Sequence, residues 1–171
     1  LTALRAIASG TLVLAALLAT PHVGAQQAAK PNPAAIERLG GFGEGVASGM
    51  MVPSMLSGKR VWKGPHGGSA VVKTYRHRGG ELEVWLGQDG RPHYLSLAIA
   101  RNGFALPMGL HIGDARGMIE AYLGAPSYAT GNLLVYRRTA PDVEGCSDPV
   151  TLGFEKGRLV RVEWSWESCM D

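Results

Sequence analysis

Cysteine is scarce in this chain: Cys146 and Cys169 are the only two. So few thiols cannot build a multi-bridge scaffold, and none precedes Cys146 to carry a lipid beside an export signal. Neither cysteine has His or acid neighbours at ligand spacing, so the pair is read as one disulfide. Closing a loop of about twenty residues would stabilise the fold by roughly 3 kcal/mol.

Long apolar runs are lacking too. The run from Ala6 to Ala19 falls short of the roughly 20 residues that cross a bilayer. With Arg5 ahead of it, Pro21 as a breaker and Val23-Gly24-Ala25 as a small-residue cleavage site, residues 1–25 read as a secretory signal peptide. A retained anchor is the alternative. The expected location is periplasmic or secreted, with no stable membrane insertion after signal removal.

Charge of one sign is also missing. Removing residues 1–25 takes away Arg5 and no acid, leaving sixteen basic residues against fourteen acidic ones. That balance gives no argument for nucleic acid. The five histidines have no i, i+4 pair, so no metal is expected. Ser127 and Ser147 lack a nucleophile-elbow context, and Asp142, Glu144 and Asp148 lack regular calcium-loop spacing. No catalytic residue and no cofactor is expected; the chain reads as a binding module rather than an enzyme.

What the chain does have is pattern. From Gly109 to Arg138 a helix-like stripe (Ala115, Met118, Ile119, Tyr122, Leu123) follows Asp114 as N-cap and stops at Gly124 and Pro126. A strand from Leu133 to Arg138 comes next. A fainter copy lies upstream: Pro65 stands ten residues before Tyr75, as Pro126 does before Tyr136, and a basic pair follows each tyrosine. Both copies run on into strand-like segments. The expected fold is therefore α+β: two tandem helix-plus-three-strand units forming one antiparallel sheet, with helices packed on one face. Residues 26–33 form a flexible leader, and 34–171 a single domain of two repeats, 34–103 and 104–171.

Near the start of the first repeat, Gly41, Gly45 and Gly49 recur every four residues, which suggests a smooth helix groove in a segment otherwise hard to assign. Three strands with tight turns follow, Val71–Arg78, Glu81–Leu86 and Arg91–Ala100, joined at Gly79-Gly80 and Asp89-Gly90. That register sets Thr74, Trp85 and Tyr94 side by side on the face away from the core, with Arg76, Glu83 and Ser96 beside them. In the last hairpin, a three-residue loop Glu155-Lys156-Gly157 sets Leu152 opposite Val160 and leaves Leu159, Arg161 and Glu163 outside.

The pattern Gly109-Leu-His-Ile-Gly-Asp114, Leu123-Gly124-Ala-Pro126, Leu133-Leu-Val-Tyr136, Leu152-Gly-Phe154 and Gly157-Arg-Leu-Val160 resembles the SmpA/OmlA family of small outer-membrane assembly lipoproteins. In its tandem arrangement it is similar to the related β-lactamase inhibitor proteins. The first resemblance implies an envelope-assembly component, although the anchoring N-terminal cysteine is absent here. The second implies a sheet whose open face meets a partner enzyme. No inhibitory residue matches position by position.

The expected function is thus an exported binding protein that holds a partner protein through its open sheet face, possible versions being an inhibitor or immunity protein against an envelope-acting enzyme. The alternative is an envelope or outer-membrane assembly component. Trp85 and Tyr94 are the expected anchors, aromatic residues being enriched at binding hot spots. Arg76, Glu83, Arg137, Arg161 and Glu163 are the expected charged contacts. Ordinary cross-strand stabilisation explains the same pairs equally well.

Overall fold

The computed structural model describes residues 30–63, 69–87, 89–138 and 148–166. The expected signal peptide and the expected Cys146–Cys169 bridge lie outside the described residues.

Helix α1 (Pro33–Met50) starts with proline at its first position, where no N–H is needed. Asn32 ahead of it accepts a hydrogen bond from the Ala35 N–H at 3.3 Å. The leader boundary drawn at residue 33 therefore falls on the first helical residue. Ile36, Leu39, Gly40, Gly43, Ala47 and Met50 recur at three- and four-residue steps and are buried. The helix runs unbroken through the glycine-rich stretch. Gly41, Gly45 and Gly49, expected to form a packing groove, have nothing within 4 Å of where a Cβ would stand. The groove is made by Gly40 and Gly43 instead, against Arg138 and Trp164.

Four strands follow: β1 (Leu56–Lys63), β2 (Ser69–His77), β3 (Gly80–Leu86) and β4 (Pro92–Ile99). Then come helix α2 (Arg116–Leu123) and strands β5 (Tyr128–Thr130), β6 (Leu133–Arg137), β7 (Pro149–Glu155) and β8 (Arg158–Ser165). All eight strands form one antiparallel sheet in the order β1-β2-β3-β4-β8-β7-β6-β5. The expected two helix-plus-three-strand units are thereby corrected: the described chain is mostly sheet, eight strands with two helices. The added strands are both edges. β1 is rich in charge, which suits an edge strand but blurs its alternation. β5 spans three residues, too short for any period to register.

The seam between the halves is β4 against β8, where Leu97 faces Trp164 and Ile99 faces Val162. These four side chains are all 1% exposed or less. They join Leu39, Met50, Ile119, Leu123, Leu134, Tyr136 and Phe154 in one core beneath both helices. In α2 only Ile119 and Leu123 are buried; Met118 and Tyr122 of the expected stripe stay exposed. Asp114 does not cap α2. Its carboxylate accepts from the His111 N–H at 2.7 Å and closes the preceding turn.

Candidate functional site: the sheet face opposite the helices

Register decides what this face carries. The β2–β3 turn is Arg78-Gly79, both at positive φ (48° and 83°), one residue earlier than the expected Gly79-Gly80. Gly80 is needed elsewhere: a Cβ there would stand 2.8 Å from Phe104. Moving the turn by one shifts each pairing by two residues and keeps the faces. Arg76 thus stands across from Glu81, and Thr74 across from Glu83. The expected Arg76–Glu83 pair is replaced by two others. Arg76 Nε donates to Glu81 at 2.6 Å, and Arg60 of the missed strand β1 forks onto Glu83 at 3.1 and 2.8 Å.

A bulge separates the two expected anchors. Glu83 lies opposite Ser96 as expected, but Val84 pairs with Tyr94 and leaves Leu95 without a partner on β3. Tyr94 is therefore carried to the helix side, tilted against Trp166 at 5.8 Å and packed on the core. Trp85 meets His93 instead, stacked at 4.5 Å with 23° between the rings. The indole is half-buried, and its Nε1 is buried with no hydrogen-bond partner. Beside it Val72 is fully buried. This end of the face is a small apolar patch closed over by its own tryptophan.

The second half reaches the expected faces by another device. Lys156-Gly157 is a two-residue turn, and a bulge past Gly153 sets Leu152 opposite Val162 rather than Val160, on the same face. Leu159, expected outside, is buried opposite Phe154. Arg161 and Glu163 do lie on the face away from the helices, bonded to each other at 2.9 Å. Arg137 is on the same face; its N–H donates to Ser127 Oγ at 3.1 Å, and its side chain is exposed.

One continuous row crosses the sheet: Arg76, Glu81, Ala98, Glu163, Thr151, Val135 and Tyr128. From β2 to β6 the row covers five strand steps, about 24 Å at a spacing of about 4.8 Å. Tyr128 and Leu133 are 59% and 41% exposed at its far end. Tyr128 went unassigned in the sequence because β5 is too short to register, whereas Leu133 opens a strand that was expected. Among the described residues no helix lies across this face, and no group of His, Cys, Asp and Glu that could hold a metal is present. No described helix is long and apolar enough to cross a membrane.

The electrostatics concentrate behind the face as well. Burial pushes the Tyr136 phenol up to about 12, with Glu120 adding to the effect and Arg116 opposing it. Burial works to lower the pKa of Arg138, but hydrogen bonds from its guanidinium to Glu44 and Glu37 outweigh this and hold it above its ordinary value. Arg138 so ties the end of β6 to α1.

Among the described residues, the fold and this face define a single antiparallel sheet clad by helices on one side and bare on the other. No protein-family model, no curated protein and no solved structure matches the chain.

Proposed function

We propose that this chain is an exported, non-enzymatic binding protein that holds a partner protein against the bare face of its sheet. The observation that carries the reading is the row from Arg76 to Tyr128. It offers charge of both signs at Arg76, Glu81 and Glu163, a small centre at Ala98 and an exposed aromatic at one end, with no described element over it. Arginine and tyrosine on a preorganised surface supply large contact area at little entropic cost. Arg76, Glu81, Arg161, Glu163, Leu133 and Tyr128 are the residues assigned to contact. Trp85 is assigned to holding the sheet rather than to the partner.

An inhibitor or immunity protein against an envelope-acting enzyme is the specific version favoured, since such partners dock on preformed surfaces. The test is affinity capture from envelope extracts with the wild-type chain, Tyr128→Ala and Arg161→Glu. Retrieval of one soluble enzyme, lost by tenfold or more in both variants with melting temperatures unchanged, is the expected result. Retrieval of membrane proteins alone would replace it with the assembly reading, and equal capture by all three chains would remove this face.

A further inference from the structure

The Arg76 end of the bare face holds a feature the partner reading does not use. A depression of about 430 Å³ is lined by Arg76, Arg78, Arg101 and Arg161, with Glu81 as its one carboxylate. His77 and the small residues Gly79, Gly80, Ala98 and Ala100 complete the lining. Four arginines thus border it from β2, the Arg78-Gly79 turn, the segment after β4, and β8.

Two of the four are already neutralised, Arg76 by Glu81 at 2.6 Å and Arg161 by Glu163 at 2.9 Å. Arg78 and Arg101 have no ion pair among the described residues. The backbone that carries them is closely packed. The Arg101 chain lies over Gly79, whose missing Cβ would stand 2.6 Å from its Cβ. Gly103 sits so close to the Arg78 carbonyl that any Cβ would collide with it. Arg78 itself takes positive φ, where a hairpin turn of this kind ordinarily has asparagine or glycine. The equivalent Lys156-Gly157 turn has open space over its glycine and no such support.

From this geometry we infer that the depression is a binding site for a phosphate-type oxyanion, as inorganic phosphate or a phosphate monoester. The two unpaired guanidinium groups match the double negative charge of such a group, and their planar forks match its oxygens. A single carboxylate would leave one of them unmatched. The volume exceeds what one phosphate needs and leaves room for the rest of an ester. The site borders the partner surface and shares Arg76, Glu81 and Arg161 with it, but it rests on Arg78 and Arg101, takes a small anion and needs no second protein.

The experiment uses the full chain. Calorimetric titrations with inorganic phosphate and glycerol phosphate are run on wild type and on the Arg78→Ala/Arg101→Ala double variant. Sedimentation with phosphatidylcholine vesicles, with and without phosphatidate, is run in parallel. Expected is saturable 1:1 binding of at least one phosphate form, weakened tenfold or more in the variant and not displaced by acetate. Binding of the free ions assigns a soluble ligand, and binding to phosphatidate vesicles alone assigns a lipid headgroup; both support the site. No binding of any form, or equal binding by a double variant with wild-type circular dichroism and melting temperature, overturns it. Either outcome leaves the partner-capture experiment unaffected.

Discussion

Trp164 of β8 donates its indole N–H to the Leu39 carbonyl of α1 at 2.9 Å, linking residues 125 positions apart. The contact depends on Gly43, where a Cβ would stand 2.5 Å from the indole ring. A helix carbonyl already bonded within its helix has a second lone pair, and the indole uses it. Phe42 tilts against the same ring at 6.0 Å. The seam of the sheet is thus locked to the helix that covers it.

Substitution in α1 should separate the glycines that pack from those that merely occur. Gly43→Ala forces Trp164 away and is expected to cost about 1–3 kcal/mol by overpacking. Gly45→Ala meets nothing and should gain about 0.5–1 kcal/mol from helix propensity. Thermal melts of the two variants check this; a shift of the same sign in both would reject the assignment.

Asn32 serves two helices at once. Its side-chain oxygen accepts from Ala35 at the start of α1, while its side-chain amide donates to Tyr122 O at 3.0 Å and its N–H to Leu123 O at 2.9 Å. Asn32→Ala removes a cap from α1 and a donor from the end of α2, and should cost about 1–2 kcal/mol. Asn32→Asp keeps the first bond and loses the second. It should fall between the two in urea midpoint.

Alkaline stability should report Tyr136, whose hydroxyl donates to Gly124 O at 3.1 Å in the core. Below pH 10.0, the ordinary value for a tyrosine, the phenol is neutral in both folded and unfolded chains. Between that pH and about 12 the unfolded chain ionises while the folded one does not. The folded state then binds more protons, so stability falls as pH rises through this window. The loss approaches about 2–3 kcal/mol. Tyr136→Phe should lose about 1 kcal/mol at neutral pH and lack this component of the alkaline decline. Parallel declines in the two chains would count against it.

Trp85 should behave as a structural residue. Trp85→Ala exposes Val72 and removes the stack on His93, at an expected cost of about 1–3 kcal/mol for a half-buried ring. Trp85→Phe keeps much of the ring while deleting the orphaned N–H, and should stay within about 1 kcal/mol of wild type. Denaturant midpoints at constant slope measure both. An unchanged midpoint for Trp85→Ala would return the indole to solvent.

Much of the sheet was legible because strand alternation and turn glycines are local signals. Six strands stood near their observed bounds, and Arg161 and Glu163 fell on the expected face. What failed was whatever depended on one residue's place in a ladder. The Gly79-Gly80 pair offers two possible turns, and only the packing of Phe104 over Gly80 selects between them. Nothing in the alternation of Arg91 to Ala100 marks the bulge that moves Tyr94 to the other face. Arg78 and Arg101 could have been noticed as arginines beside glycines, but their convergence is a product of the β3–β4 hairpin folding back.

By itself the sequence determined the period of each segment: which residues alternate, where the second helix must stop at Gly124 and Pro126, and where glycine permits a turn. Those are matters of local sterics and burial, written in neighbouring residues. Only the tertiary structure decided that two further strands edge the sheet, that Trp85 closes over its neighbours, and that four arginines share one hollow. Each of these rests on contacts between distant segments, whose energies no window of adjacent residues contains.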